Sequence, residues 1–220
     1  MTAPQIVIPR PSLSIAMKEG SAVQHEAAEG SSFVSELLAG HVDGRGYAAY
    51  LRRLRMIYAA LEETGRQLSA DPVVAAVHDP GLDRLAALDA DLAHWAPGAS
   101  VDVGSPAAAR YAARIRASAE WGGLYLAHHY TRYLGDLSGG QAIGRILDRT
   151  FALGGAGLAF YEFPAVPKPK PYKDAYRARL DALALSPAAV ERVVAEVQVA
   201  FRLNQDLFDE LSTPRSDARG

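Results

Sequence analysis

Tyr130-Thr131-Arg132-Tyr133-Leu134-Gly135-Asp136-Leu137-Ser138-Gly139-Gly140-Gln141 sets three glycines into what otherwise reads as one long amphipathic helix. Apolar or aromatic residues recur at Leu126, Tyr130, Tyr133, Leu134 and Leu137, and again at Ile143, Ile146 and Leu147. Each glycine inside a helix costs about 1 kcal/mol relative to alanine. Helix stability alone gives no reason to accept that loss. Two readings stay open. The run is a turn between two helices, since Gly-Asp and Ser-Gly-Gly are common loop punctuation. Or it is a kinked helix against which something flat and bulky lies so close that a Cβ would be in the way. Gly135 and Gly139 are four apart, so on a helix both open the same face. A phosphate-binding P-loop does not fit, because Gln141-Ala142 stands where Lys-Ser/Thr is required.

Around this stretch the chain reads as one soluble domain. It has 220 residues, 49% of them apolar and 22% charged. The net charge of −2 gives no overall bias towards nucleic acid or acidic membranes. The absence of cysteine excludes disulfides, thiolate metal ligands, iron–sulfur clusters and a Cys nucleophile. The first eleven residues contain prolines and no long apolar run, so they do not read as a secretory signal. No stretch approaches the roughly 20 apolar residues that span a bilayer. The end of the chain is polar and carries no tail anchor. A cytoplasmic protein is the expectation.

The pattern along the chain predicts an all-α fold of about eight helices. Residues 1–11 read as an extended or disordered lead, 12–211 as the helical domain and 212–220 as a disordered tail. Helices are expected over 12–29, 32–38, 43–68, from Pro72, over 82–95, 105–119, 121–153, 172–183 and 186–211. The alternating Lys168-Pro169-Lys170-Pro171 reads as non-helical. Residues 5–8 and 158–163 are weak strand candidates.

Three further features bear on chemistry. Asp136 lies between the glycines and Arg132 one turn before it, an exposed or capping Asp on one reading and a group beside a ligand surface on the other. His25 offers one metal ligand, with Glu29 one turn on to fix the imidazole. The alternative is a surface His with an i,i+4 ion pair. The zinc-protease pattern is incomplete, because Glu29 stands where a second His is needed. No Glu is followed three places later by His, which removes a ferritin-like di-iron site. Lys168, Lys170, Lys173, Arg177 and Arg179 form a local basic cluster, either a solvated face or an anchor for carboxylates or phosphates. It is too sparse for a nucleic-acid groove. Adjacent His128 and His129 point about 100° apart on a helix and read as structural.

Together these residues resemble the haem oxygenase family. Leu126 through Gln141 is similar to that family's signature almost residue for residue. Gln24-His25-Glu26-Ala27-Ala28-Glu29 resembles the region of its proximal histidine. Ile57-Tyr58-Ala59-Ala60-Leu61-Glu62 resembles its second long helix, Tyr172 through Arg177 its propionate-binding segment, and Phe201 through Phe208 its last helix. The similarity runs in order from about Leu13 to Leu211 and looks closest to the soluble bacterial members. It departs at Ala22, where some members carry a second lysine, and at the Lys168–Pro171 run.

The resemblance implies that haem (iron protoporphyrin IX), as both cofactor and substrate, lies between a proximal and a distal helix. His25 matches the iron ligand and Glu29 its neighbour. Gly135 and Gly139 match the distal glycines, and Asp136 the acid that organises distal water. Lys18, Tyr130, Lys173 and Arg177 match groups that face the propionates. Arg132, Tyr58 and Asn204 match members of the surrounding hydrogen-bond network, and Phe201 belongs to the matched last helix. The implied reaction uses O2 and external electrons to give biliverdin, CO and ferrous iron. No flavin or nicotinamide motif is present, so a ferredoxin or flavoprotein reductase is the implied partner. A haem carrier or sensor without ring-opening activity is the competing class, and Asp136 among the glycines favours the enzyme.

Overall fold

The computed structural model describes residues 11–212. Among the described residues there are helices and turns but no strands. The chain runs α1 Leu13–Gly20, α2 Ala22–Glu29, α3 Ser32–Leu38, α4 Gly44–Gln67, α5 Pro72–Ala75, α6 Leu85–Trp95, α7 Pro106–Ala117 and α8 Gly122–Gly135. A π-helical turn, Asp136–Gly140, joins α8 to α9 Gln141–Phe151, followed by α10 Pro169–Asp181 and α11 Pro187–Ser212. The expected strand at 5–8 lies outside the described residues. So do the lead and the tail, apart from Pro11 and Ser212.

The longest periods build the frame. Tyr47, Leu51, Leu54, Ile57, Tyr58 and Leu61 share the inner face of α4 and are fully buried. That face packs against α6 and α7, while α8 packs along α11. Polar starts fit the sequence. Asp43 caps α4 by accepting from Gly46 N at 2.7 Å, and Ser105 caps α7 by accepting from Ala108 N at 3.1 Å. Inside, Asp91 accepts from Ala159 N and Phe160 N, both at 2.8 Å, and so fixes the turn that faces the glycine run.

Four expectations need correction. The helix expected over 12–29 is broken at Ser21, whose φ is −113° and whose hydroxyl donates to Met17 O at 2.7 Å. Gly20 sits so close to Val194 of α11 that a Cβ there would collide. The Lys-Pro run does not exclude helix: Pro169 and Pro171 stand at the start of α10, where no intrahelical acceptor waits for an N–H. Residues 158–163 form a 3-10 turn at Ala159–Tyr161 rather than a strand. The span 121–153 is not one regular helix but two, joined end to end through the π-turn.

Candidate functional site

The π-turn decides between the two readings of the glycine run: the helix continues, widened by one residue per turn, a form often found at functional sites. Its glycines divide into two kinds. A Cβ added at Gly135 or Gly139 would meet nothing within 4 Å. A Cβ at Gly140 or Gly144 would press on the Tyr161 ring at 3.2 Å. The first pair opens onto space and the second lets two segments pack. Ser138 bonds back through its hydroxyl to Leu134 O at 2.6 Å, across the junction of α8 and the π-turn.

Gly135 opens on a cleft of about 300 Å³. Tyr130, Thr131, Leu134 and Ser138 extend that wall. The facing wall is Lys18, Ser21, Ala22 and His25, with Phe201 from α11 and Arg177 from α10. His25 projects from α2 with half its side chain exposed. Its ring edge meets Phe201 at 5.2 Å between centroids. Nδ1 lies 3.5 Å from Glu29 Oε2, which leaves Nε2 as the coordinating atom on offer. Among the described residues no three His, Cys, Asp or Glu side chains converge to hold a bare metal ion. A lone imidazole therefore suits an ion that brings its other ligands with it. Lys18 and Arg177 make one end of the cleft cationic. Lys173 is joined to the π-turn through a bond from Nζ to Ser138 Oγ at 2.8 Å. Flat apolar walls, one imidazole, open glycines and cations at one edge fit a planar macrocycle that carries carboxylates.

Behind the glycine wall lies a buried polar network. Asp136 accepts from the Tyr58 hydroxyl at Oδ2. Arg132 donates to the Tyr58 oxygen from Nε at 3.2 Å and Nη2 at 3.1 Å, and to Asp136 Oδ1 at 3.4 Å. Its Nη1 donates to Asn204 Oδ1 at 2.8 Å. Burial pushes the Asp136 carboxyl above its ordinary pKa, against the pull of Arg132 and the Tyr58 bond. Burial also raises the Tyr58 phenol, so it stays protonated. Burial works against the charge on Arg132, but the neighbouring phenols and Asp136 outweigh it and the guanidinium stays charged. The result is a carboxyl adjacent to Gly135 in the chain, held in place by a phenol and a cation.

The structure brings Lys18, His25, Tyr130, Gly135, Arg177 and Phe201 onto one cleft, with Glu29, Gly139 and Lys173 beside it. Asp136, Arg132 and Tyr58 stand behind the wall. Asn204, matched to the hydrogen-bond network and named with the cofactor-binding candidates, does not line the cleft: it is buried, accepts from Arg132 and donates to Ala200 O. Sequence reasoning missed Ser21, Thr131, Leu134 and Ser138 as cleft residues. Thr131 and Ser138 stand four before and three after Gly135, and Leu134 four after Tyr130, and that spacing is the signal that finds them. His128 and His129 face different neighbours: His128 meets Glu196 of α11 at 2.8 Å and His129 meets the Tyr176 hydroxyl of α10 at 2.9 Å. Burial lowers both, His129 to about 3. A larger cavity of about 470 Å³ lies further along α9, around Gln141, Arg145 and Tyr161, and is lined by no imidazole.

Residues 11–210 match the family model described as "Heme oxygenase". "Heme oxygenase 1" of Rattus norvegicus is 40% identical over 96% of this chain and 75% of its own length. The crystal structure of heme oxygenase-1 from the cyanobacterium Synechocystis in complex with heme superposes with a TM-score of 0.87 at 34% identity, covering 92% of this chain and 93% of that one. Heme oxygenase-2 from Synechocystis in complex with heme and NO does so with a TM-score of 0.87 at 33% identity, over 91% of this chain and 85% of that one.

Proposed function

Since the chain belongs to the haem oxygenase family, we propose that haem lies in the cleft between His25 on α2 and the open glycines of α8, and that Asp136 governs proton delivery to its distal side. The protein is a haem oxygenase, and haem is the substrate it opens. When bound, haem supplies both the iron that holds O2 and the porphyrin carbon that is oxidised, giving biliverdin, CO and Fe²⁺.

The protein's part is placement and proton control. His25 Nε2 holds the iron from one side, and Glu29 steadies the ring through Nδ1. On the other side Gly135 and Gly139 bring bare backbone to the macrocycle. No side chain there donates directly to a distal ligand, so nothing pulls an O–O bond apart from the wall itself. Asp136 acts from behind through ordered water. Its raised pKa lets the carboxyl carry and return a proton, while Tyr58 and Arg132 fix its direction. Lys18, Tyr130, Lys173 and Arg177 hold the propionates, and so set which edge of the ring faces the reacting oxygen. The sequence contains no flavin or nicotinamide motif, and electrons come from a ferredoxin or a flavoprotein reductase. No described helix is long and apolar enough to cross a membrane. A cytoplasmic enzyme drawing on a soluble donor fits that observation.

One observation carries this reading: a buried carboxyl with a raised pKa stands adjacent to a glycine wall that faces an imidazole across a cleft. The test is to add haemin, a reducing system and O2, and to follow the spectrum. The Soret band decays and bile-pigment absorbance grows. An intact Soret band over many turnovers of the reductant would instead make the protein a haem carrier.

A further inference from the structure

We propose that Asp174 of α10 competes with the carboxylates of haem for Arg177, and so sets how tightly the protein grips its substrate. This rests on haem lying in the cleft with its propionates at Arg177. Arg177 lines the cleft, but its Nη1 already donates to Asp174 Oδ1 at 3.1 Å. Asp174 Oδ2 accepts from Lys170 Nζ at 3.0 Å. Positions 170, 174 and 177 follow one face of the helix. Lys173 turns towards the π-turn instead, where its bond is to the neutral Ser138 hydroxyl. Arg177 is thus a propionate anchor that already holds a carboxylate of the protein's own.

Two carboxylates do not share one guanidinium without cost. A propionate that takes Nη1 must displace Asp174. One that takes the remaining N–H groups meets a cation already partnered, with a second anion beside it. In both cases part of the Coulomb attraction is spent inside the chain. The Lys170 bond, with Arg177 behind it, holds the Asp174 carboxyl below its ordinary pKa, so the competitor is charged at neutral pH. Arg177 and Asp174 have 42% and 53% of their side chains exposed, so solvent screens the pair and its effect is modest.

Ion pairs at i,i+3 and i,i+4 also support a surface helix in their own right. The sign of the effect separates the two roles. If Asp174 only braces α10, removing its charge loosens Arg177, and haem binding weakens or stays as it was. If Asp174 competes, removing its charge frees Arg177, and haem binding tightens. In both cases Asp174 acts through Arg177 and leaves the His25 side of the cleft alone.

The test is to titrate the full-length protein with haemin at low ionic strength and read binding from the Soret band. Asp174→Asn lowers the Kd about two- to five-fold, the range of an exposed ion pair, and the gain shrinks as salt is added. In an Arg177→Gln background the same substitution changes nothing, because the contested cation is gone. Haem with both propionates methylated binds the parent protein and Asp174→Asn equally well. Haemin affinity that is unchanged or weakened by Asp174→Asn overturns the proposal. So does an equal tightening in the Arg177→Gln background, which would make Asp174 a distant charge, or an equal tightening for the methyl ester. A failure of the haem placement looks different: Arg177→Gln alone would then leave haemin binding as it is in the parent.

Discussion

On the α2 side of the cleft, His25 is half exposed, touches one carboxylate at 3.5 Å, and sits on a helix whose only buried residue is Ala28. On the α8 side, Asp136 is buried and tied to Tyr58 and Arg132, and through Arg132 to Asn204 on α11. The difference teaches which wall the fold makes by itself. The buried polar layer behind the distal wall is complete before anything binds, because Asp136, Tyr58, Arg132 and Asn204 already have partners inside the protein. The proximal wall offers a nitrogen whose partner must arrive with the substrate. On the proposed reading, protein stability is invested in proton control and ligand affinity is left to an exposed side chain.

Two substitutions break this comparison if it is wrong. His25→Ala has the largest expected effect on function: turnover is lost, and the imidazole-ligated haem spectrum disappears. The ligand-free protein nonetheless keeps its stability to within about 0.5 kcal/mol, as for surface changes that strand no partner. An unchanged haem spectrum would remove His25 as the ligand. Asp136→Ala reverses the pattern. It leaves the Arg132 guanidinium buried without its carboxylate, a loss of about 3–5 kcal/mol that denaturant unfolding of the ligand-free protein reads directly. Haem still binds, but ring opening slows and added peroxide is diverted into bleaching. A ligand-free protein as stable as the parent would show that the network is not the preformed unit described here.

The sequence made the frame legible where periods are long. The periodic faces of α4, α8 and α11 could be read directly, and so could His25, Asp136 and the glycines as candidates. What escaped depended on contacts distant in the chain. The break at Ser21 lies beside Gly20, which packs against Val194 of α11, a contact that no local pattern announces. Asn204 could be matched to a polar network, but its place could not be read: it stands three residues after Phe201, which lines the cleft, and bonds Arg132 of α8 instead. The Lys-Pro run was read for its prolines alone, whereas position decides: the first turn of a helix tolerates them. The glycines looked alike in sequence, because Tyr161, which separates them into two kinds, comes from an irregular segment some twenty residues later.

That last distinction yields the smallest and sharpest effect. A methyl at Gly135 meets open space in the ligand-free protein, and helix propensity favours alanine by about 1 kcal/mol, so Gly135→Ala stabilises the empty chain by up to that amount. The same methyl projects into the cleft, so haem titration shows weaker binding. At Gly144 the propensity gain is the same, but the methyl lies 3.2 Å from the Cβ, Cγ and Cδ2 of Tyr161. Tyr161 has little freedom to retreat. Its N–H is bonded to Leu158 O at 3.0 Å, and Asp91 holds the two preceding amides at 2.8 Å. Overpacking of about 1–3 kcal/mol then exceeds the propensity gain, and Gly144→Ala destabilises the empty chain by about 1 kcal/mol while haem affinity stays unchanged. The two alanines thus move stability in opposite directions, and only one moves binding. Equal effects on both measurements would mean that the glycines serve one purpose, and that the open pair has no special relation to the substrate.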